Sequence, residues 1–177
     1  TITQEVLKLL VCPECRRILT HTRDSLRCEL CKKDYPINNG IPSLLTKLET
    51  QEEEQMSIYE DTIGSNVGSL EYAKYTAKFF FQVITDSYFL PLVFDKGVSG
   101  KLVVDIGSGL GNIGTRIAQA GAHIVNIDIG SKALALAKNR MMTSRADFIH
   151  GSILKTPLID SSADLVVASF VLHHIQD

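Results

Sequence analysis

Cys12-Pro-Glu-Cys15 and Cys28-Glu-Leu-Cys31 hold every cysteine of the 177-residue chain, with twelve residues between the pairs. A C-x-x-C pair turns sharply enough to aim two thiolates at one point. Two such knuckles complete a tetrahedral S₄ site, which suits Zn²⁺. Four thiolates leave no open position for water, so the expected metal is structural rather than catalytic. A unit of under about 50 residues buries too little surface to be stable alone, and a metal staple meets that need. Disulfides are the competing reading, disfavoured in a chain without a secretion signal. A thioredoxin-like redox site would need one C-x-x-C at a strand-to-helix junction, not two pairs.

The second group that could do chemistry is Val103-Val104-Asp105-Ile106-Gly107-Ser108-Gly109-Leu110-Gly111. Glycines at alternate positions let a backbone turn tightly and pass close to a ligand. Gly109-Leu110-Gly111-Asn112-Ile113-Gly114 also satisfies the G-x-G-x-x-G pattern of dinucleotide enzymes, with Asp128 nineteen residues after Gly109. Asp105 argues the other way. A carboxylate at the end of the strand suits a cationic amino or sulfonium group and would repel a pyrophosphate. Asp128 can accept hydrogen bonds from two ribose hydroxyls, a role common to both ligand classes. His173 and His174 open the last helical segment, where a histidine could act as a general base. The plainer reading is that one packs and the other is exposed.

These residues need a scaffold, and from Lys101 the pattern alternates strand and helix. Strands are expected at Leu102–Ile106, His123–Asp128, Ala146–His150 and Asp164–Ser169. Helices are expected at Asn112–Ala120 and at Ser131–Met141, the latter opened by a Ser131 cap. A further helical segment begins at Val171. Such alternation predicts an α/β fold: a Rossmann-like, doubly wound parallel sheet with helices on both faces, here its first four strands, preceded by a small zinc ribbon. The expected divisions are the ribbon at 1–46, a linker at 47–69, and the cofactor-binding domain at 70–177 with a helical lead-in at 70–98. Separate cores would make the ribbon and the sheet unfold separately. Eight of the twelve aromatic residues crowd into 70–94, and Tyr72, Tyr75, Phe79 and Val83 follow helical spacing. That segment is expected to pack beside the cofactor site. Within the ribbon, Asn39-Gly40 predicts a tight turn between two short strands.

Composition excludes less than the motifs do. Hydrophobic residues make up 45% and charged residues 21%, as in a globular protein. No apolar run approaches the roughly 18 residues of a membrane span. The first residues lack the pattern of a signal peptide, so the expected location is cytoplasmic. The formal net charge is −2. Residues 1–47 hold eight Lys/Arg against five Asp/Glu, which permits RNA contact, though the plainer reading is an ordinary solvated surface.

Two resemblances add to this reading. LLVCPECRRIL followed by LRCELCKKDYPINNGIPSLL resembles the small zinc-ribbon proteins that activate tRNA and protein methyltransferases, over about residues 5–45. DxGxGxG, the acid at Asp128, FIHGSI with Pro157, and ADLVVASFVLHHIQD resemble, in that order, the class I S-adenosylmethionine (SAM)-dependent methyltransferases over about residues 100–177. The resemblance implies that Asp105 and the Gly107, Gly109 and Gly111 backbone hold the methionine moiety of SAM. It implies that Asp128 holds the ribose and that Ile129 covers one adenine face. Ser152, where the family usually has Asp, would bond the adenine amino group without charge, and the Ile153 N–H would meet the ring. Ser169 and Phe170 would lie near the methyl group and the acceptor.

The implied function is methyl transfer to RNA or a small molecule. The alternatives are an NAD-dependent oxidoreductase and a non-catalytic partner of another methyltransferase. The resembling fold has seven strands in the order 3-2-1-4-5-7-6, so the four read here suggest a fragment. Otherwise a partner chain or a second copy would have to cover the apolar edge of the fourth strand.

Overall fold

The structure, a computed structural model, describes residues 2–48, 52–54, 56–57, 61, 83–141, 143 and 145–175. Thr3 starts the first helical turn, α1 (Gln4–Leu7), by accepting the Val6 N–H on its hydroxyl at 3.3 Å. Four short antiparallel strands follow: β1 (Thr20–His21), β2 (Ser25–Cys28), β3 (Lys33–Asn38) and β4 (Ile41–Pro42), in spatial order. Leu26 and Cys28 point inward from β2 by strict alternation, and Tyr35, opposite Leu26, joins them from β3. The β3–β4 reversal is the expected tight turn. Asn39 and Gly40 both take positive φ, 51° and 73°, as a two-residue type I′ connection requires.

A π-helical turn (Thr85–Phe89) runs into α2 (Leu90–Phe94). The alternating part then begins: β5 (Leu102–Ile106), α3 (Asn112–Gln119), β6 (His123–Asp128), α4 (Ser131–Arg140), β7 (Ala146–His150), β8 (Leu165–Ala168), and a 3₁₀ turn (Leu172–His174). The sheet is parallel throughout, in the order β7-β6-β5-β8, which is the expected 3-2-1-4. The strands β5, β6 and β7 fall on their expected bounds. β8 is one residue shorter at each end. Asp164 leaves the strand to bond Leu102, its carboxylate accepting the Leu102 N–H at 2.8 Å and its own N–H reaching the Leu102 carbonyl at 2.9 Å. The N-cap of α4 is Gly130 rather than Ser131, with no side-chain cap.

Helices cover one face of the sheet. Val103, Ile124 and Phe148 meet Ile117 of α3, Leu134 and Ala137 of α4, and Leu90 and Val93 of α2. The opposite face is covered from the N-terminal part of the chain. There Leu102, Val104, Val125, Ile127 and Ile149 pack against Val6, Leu10, Leu26, Cys28, Tyr35 and Leu44. The ribbon and α1 thus cover this face among the described residues.

This overturns the expectation of separate cores, because ribbon and sheet share one. Backbone bonds seal the join: Val11 N–H to the Pro157 carbonyl at 3.0 Å, Ile159 N–H to Leu9 at 2.9 Å, and Leu44 N–H to His150 at 2.7 Å. The last, with a parallel bridge between Ser43 and His150, also covers the outer edge of β7. On β8, Val167 is buried but Val166 is 54% exposed, so the strand is not buried on both faces. Among the described residues, no helix is long and apolar enough to cross a membrane.

Candidate functional site

The four cysteines meet as their spacing predicts. All four sulfurs lie within 4.8 Å of one another, and all are free thiols rather than disulfides. The Cys12–Cys31 and Cys15–Cys28 sulfur separations are 3.9 Å and 3.5 Å. A tetrahedral S₄ zinc site with Zn–S near 2.3 Å has edges of about 3.8 Å, so the cluster fits such an ion. The Tyr35 hydroxyl lies 3.2 Å from Cys12 Sγ, and the Cys31 N–H donates to Cys28 Sγ at 3.3 Å. Burial opposes ionisation of Cys12, yet hydrogen bonds from Tyr35 and the backbone at Cys15 and Glu14 bring it down to about 6. Cys31 is pushed up to about 12 by hydrogen bonding with Cys15 and by burial. One thiolate thus forms at the expense of its neighbours, a conflict that a divalent cation resolves by accepting all four.

The glycine loop leaves β5 at the C-terminal end of the sheet, where open α/β sheets bind ligands. Gly107, Gly109 and Gly111 all take positive φ, 70°, 52° and 71°. At Gly107 a Cβ would stand 2.4 Å from Val171 Cγ2, so a side chain there would have to displace Val171 as well as hold an unfavourable conformation. Gly114 admits the close approach of α3 to β6, since a Cβ there would lie 2.4 Å from Asn126 Oδ1.

Asp105 is only 2% exposed, and its Oδ2 has no hydrogen-bond partner. Burial, then the nearby Asp128 charge, push its carboxyl up to about 7. A buried orphan acceptor of this kind costs stability unless a ligand satisfies it. Ser108 Oγ, in the same loop, is also buried without a partner. Asp128 closes β6 beside this loop. Its Oδ2 accepts the Gly109 N–H and its Oδ1 the Gly130 N–H, both at 2.8 Å. These bonds fix the orientation of the carboxylate.

Beyond β7, the Gly151 N–H donates to the Asp128 carbonyl at 3.0 Å, which sets Ser152 next to the β6 terminus. Ser152 is buried, accepts the Leu154 N–H at 3.0 Å, and donates to the Glu52 carboxylate. Ile129 and Ile153 are half-buried on either side. His150 links Ile129 to the ribbon, its Nε2 lying 3.0 Å from the Ile129 carbonyl and its Nδ1 2.9 Å from Ser43 Oγ. Ser169 is half-buried at the end of β8, and Phe170 follows with φ 55° and 45% exposure. The expected cofactor residues therefore line the C-terminal ends of four adjacent strands.

His173 and His174 are both exposed, with ring centroids 3.9 Å apart, so neither packs as expected. Burial, then the neighbouring His173, lower the pKa of His174. Of the aromatic segment, Tyr72, Tyr75 and Phe79–Phe81 lie outside the described residues. Phe89 packs on the helical-face core, while Tyr88 is 68% exposed. Sequence reasoning missed Glu52, Ser43, His150 and Asn126. Asn126, fully buried in mid-strand, carried a signal, since a polar residue inside an apolar strand needs a purpose.

Residues 104–177 match a family model described as a methyltransferase domain. The ubiquinone biosynthesis O-methyltransferase of Aromatoleum aromaticum is 34% identical over 84 residues, covering 46% of this chain and 36% of that one. The demethylmenaquinone methyltransferase of Clavibacter sepedonicus is 30% identical over 79 residues, covering 44% and 32%. The chain spans about a third of the length of these relatives. A crystal structure of magnesium protoporphyrin IX methyltransferase from Synechocystis PCC 6803, with bound SAM, superposes with a TM-score of 0.54 at 21% identity. That match covers 74% of this chain and 67% of that one, a likeness of fold.

Proposed function

We propose that this chain, which carries a methyltransferase domain of the class I SAM-dependent type over residues 104–177, is the cofactor-holding portion of a methyltransferase acting on a small organic acceptor. The observation that carries the reading is the buried Asp105 carboxylate, its Oδ2 unpartnered, at the foot of three positive-φ glycines, with Asp128 beside it. An anion there complements a cationic amino acid and opposes a pyrophosphate, which speaks against the dinucleotide alternative.

In this reading Asp105 and the Gly107, Gly109 and Gly111 backbone take the methionine end. Asp128 takes the ribose hydroxyls, and Ile129, Ser152 and Ile153 surround the adenine. Ser169 and Phe170 face the transferred group. SAM, when bound, supplies a methyl group on sulfonium, whose departure as a thioether is intrinsically easy. The chain's own work is then alignment and exclusion of water. The four cysteines hold structural Zn²⁺, which braces the ribbon against the sheet.

The acceptor class follows from two considerations. The relatives named above for ubiquinone biosynthesis and for demethylmenaquinone serve small-molecule chemistry. Four of the eight Lys/Arg of residues 1–47 are paired within the protein. Arg16 pairs with Asp160, Arg27 with Asp34, Lys32 with Glu29 and Lys33 with Glu14. These pairs reduce the positive charge open to a phosphate backbone.

Isothermal titration of the chain with SAM and with NAD tests the cofactor. SAM should bind and NAD should not, and Asp128→Ala should weaken SAM by about 1.5–3 kcal/mol, the scale of hydrogen bonds to a charged group. Binding of NAD alone would restore the oxidoreductase alternative. A folded protein that binds neither would favour the non-catalytic one. Incubation with tritiated SAM should label a small-molecule extract, and label confined to total RNA would overturn the acceptor class.

A further inference from the structure

The turn that carries Ser152 and Ile153 is held by the ribbon as well as by the sheet. Inside the turn, Ser152 Oγ accepts the Leu154 N–H at 3.0 Å, and Thr156 Oγ1 donates to the Ile153 carbonyl at 3.0 Å. These two bonds make residues 152–156 one closed unit, so a bond that fixes Thr156 also fixes Ile153. Three consecutive carbonyls then accept from the ribbon. Arg16 donates through Nη1 to Thr156 at 2.5 Å and through Nη2 to Leu158 at 2.6 Å, and the Val11 N–H reaches Pro157 at 3.0 Å. Arg16 directly follows Cys15, and the first cysteine knuckle sets its backbone. Its φ is 64°, and its N–H donates to the Cys12 carbonyl at 2.8 Å. A planar guanidinium presents its N–H groups in a fixed fork, so one side chain spans two carbonyls. The third partner of Arg16, Asp160, is different. That carboxylate is 91% exposed, so water and salt screen the ion pair, and the carbonyl bonds are what hold the turn.

We infer that Arg16 is a positioning residue for the cofactor, holding the 152–156 turn in its binding shape from the first cysteine knuckle. This rests on the proposed cofactor reading, which sets Ser152 and Ile153 beside the base, and deepens it by giving the ribbon a part in binding. Arg16 has no ligand contact of its own and acts through Thr156 and Ile153. Without it the turn samples open shapes, and the ligand binds only the closed fraction. Cys15 and the turn are joined through this one side chain, so order in the cysteine knuckle and affinity for the cofactor are linked.

The test titrates the demethylated product S-adenosylhomocysteine into the full, zinc-loaded chain and reads hydrogen exchange on the same samples. Arg16→Ala should weaken the ligand roughly five- to twentyfold, within the range of coupling between two sites. The Leu154 amide, held by Ser152 Oγ, should exchange faster in that variant, while the β6 amides keep their protection. A merely structural loss would move both sets of amides and leave the affinity of the folded protein alone. Arg16→Lys keeps the charge but not the fork, so it should bind about two- to fivefold more weakly than the wild type. Asp160→Ala removes only the screened ion pair and should bind as the wild type does. An unchanged affinity in Arg16→Ala, or in Arg16→Lys where the alanine variant does not fold, would overturn the inference and leave the cofactor reading standing. An equal loss in Asp160→Ala would also overturn it, since the surface ion pair would then be holding the turn. Failure of the wild type to bind the ligand would overturn both readings.

Discussion

Ser43 Oγ lies 2.9 Å from His150 Nδ1, and this contact joins the strand leaving the ribbon to the last residue of β7. The other ring nitrogen reaches the Ile129 carbonyl at 3.0 Å, immediately after Asp128. One imidazole therefore ties the N-terminal module to the loop that carries the proposed ribose and adenine contacts. Its backbone neighbours reinforce the tie through the Leu44 N–H to His150 bond of 2.7 Å.

His150→Ala should therefore act at two levels. Loss of both ring bonds should lower stability by about 1–2 kcal/mol. It should also weaken SAM several-fold by loosening Ile129, although His150 has no proposed ligand contact of its own. Chemical denaturation and calorimetric titration of the same variant check the two effects. Lost stability with unchanged affinity would limit His150 to holding the ribbon.

Metal removal should be felt throughout the sheet. Cys12 and Cys28 are fully buried in the same cluster as Val125, Ile127 and Ile149. Chelation, or Cys28→Ser, should destabilise the chain by several kcal/mol in one cooperative transition rather than leave an intact sheet beside a melted ribbon. Hydrogen exchange at the β6 and β7 amides reads this directly. Those amides should lose protection when the metal leaves, and unchanged protection would mean that the two halves are energetically separate.

The strand bounds of the parallel sheet, the glycine loop and the cysteine knuckles were legible because each is a local pattern. Leu102, Val103 and Val104 declare a buried strand by type alone, and the two C-x-x-C spacings declare a shared point. The shared core was not legible. Leu26 and Tyr35 alternate inward as they would in any small sheet, and nothing in that alternation says that Val104 and Ile149 lie beneath them. Glu52 was hidden for the same reason. It sits in an acidic run that reads as a solvated linker, and its partner Ser152 is visible only once β7 has been placed.

Stability of the ligand-free protein should fall as pH rises from about 4 to above 7. Asp105 has its pKa raised to about 7 by burial and by Asp128, above the unfolded value of 3.8. The folded state therefore favours the protonated acid, and stability is lost as pH rises through this window. His123 has the same sign. Hydrogen bonding to Asp147, at 2.6 Å, raises its pKa above 6.5, so its contribution is complete below that value and is lost as pH rises through the raised one. Asp147 also accepts the Thr3 N–H at 2.7 Å and the Thr3 hydroxyl at 2.6 Å, so this pair anchors α1 to the sheet. Asp105→Asn should flatten the lower part of the profile and His123→Gln the upper part, as read by denaturation midpoints across pH. The cofactor should reverse the Asp105 effect, because a bound ammonium favours the carboxylate. SAM affinity should accordingly weaken as pH drops below about 7, and a pH-independent affinity would remove Asp105 from the site.

Two glycines should separate binding from folding. Gly114→Ala places a Cβ 2.4 Å from Asn126 Oδ1 and 3.4 Å from Ile124 Cγ1, inside the α3–β6 contact. Asn126 is fully buried, and its Nδ2 is committed to the Asp147 carbonyl at 3.1 Å, so it has little room to yield. The substitution should cost about 1–3 kcal/mol of stability, the scale of overpacking a core. Gly107→Ala meets a different obstacle. Its Cβ would stand 2.4 Å from Val171 Cγ2, in the half-buried segment after β8, and the backbone must also hold φ at 70°. Val171 can move outward, so folding should suffer by about 1–2 kcal/mol from the conformational strain. The displaced loop, however, should no longer present its backbone to the methionine end of SAM. Gly107→Ala should thus bind SAM at least about tenfold more weakly. Gly114→Ala, where it still folds, should bind nearly as the wild type does. Thermal melts paired with SAM titrations distinguish the two. Equal affinity losses in both variants would show that the loop and the α3 contact act as one unit, and the division between cradle and core would be wrong.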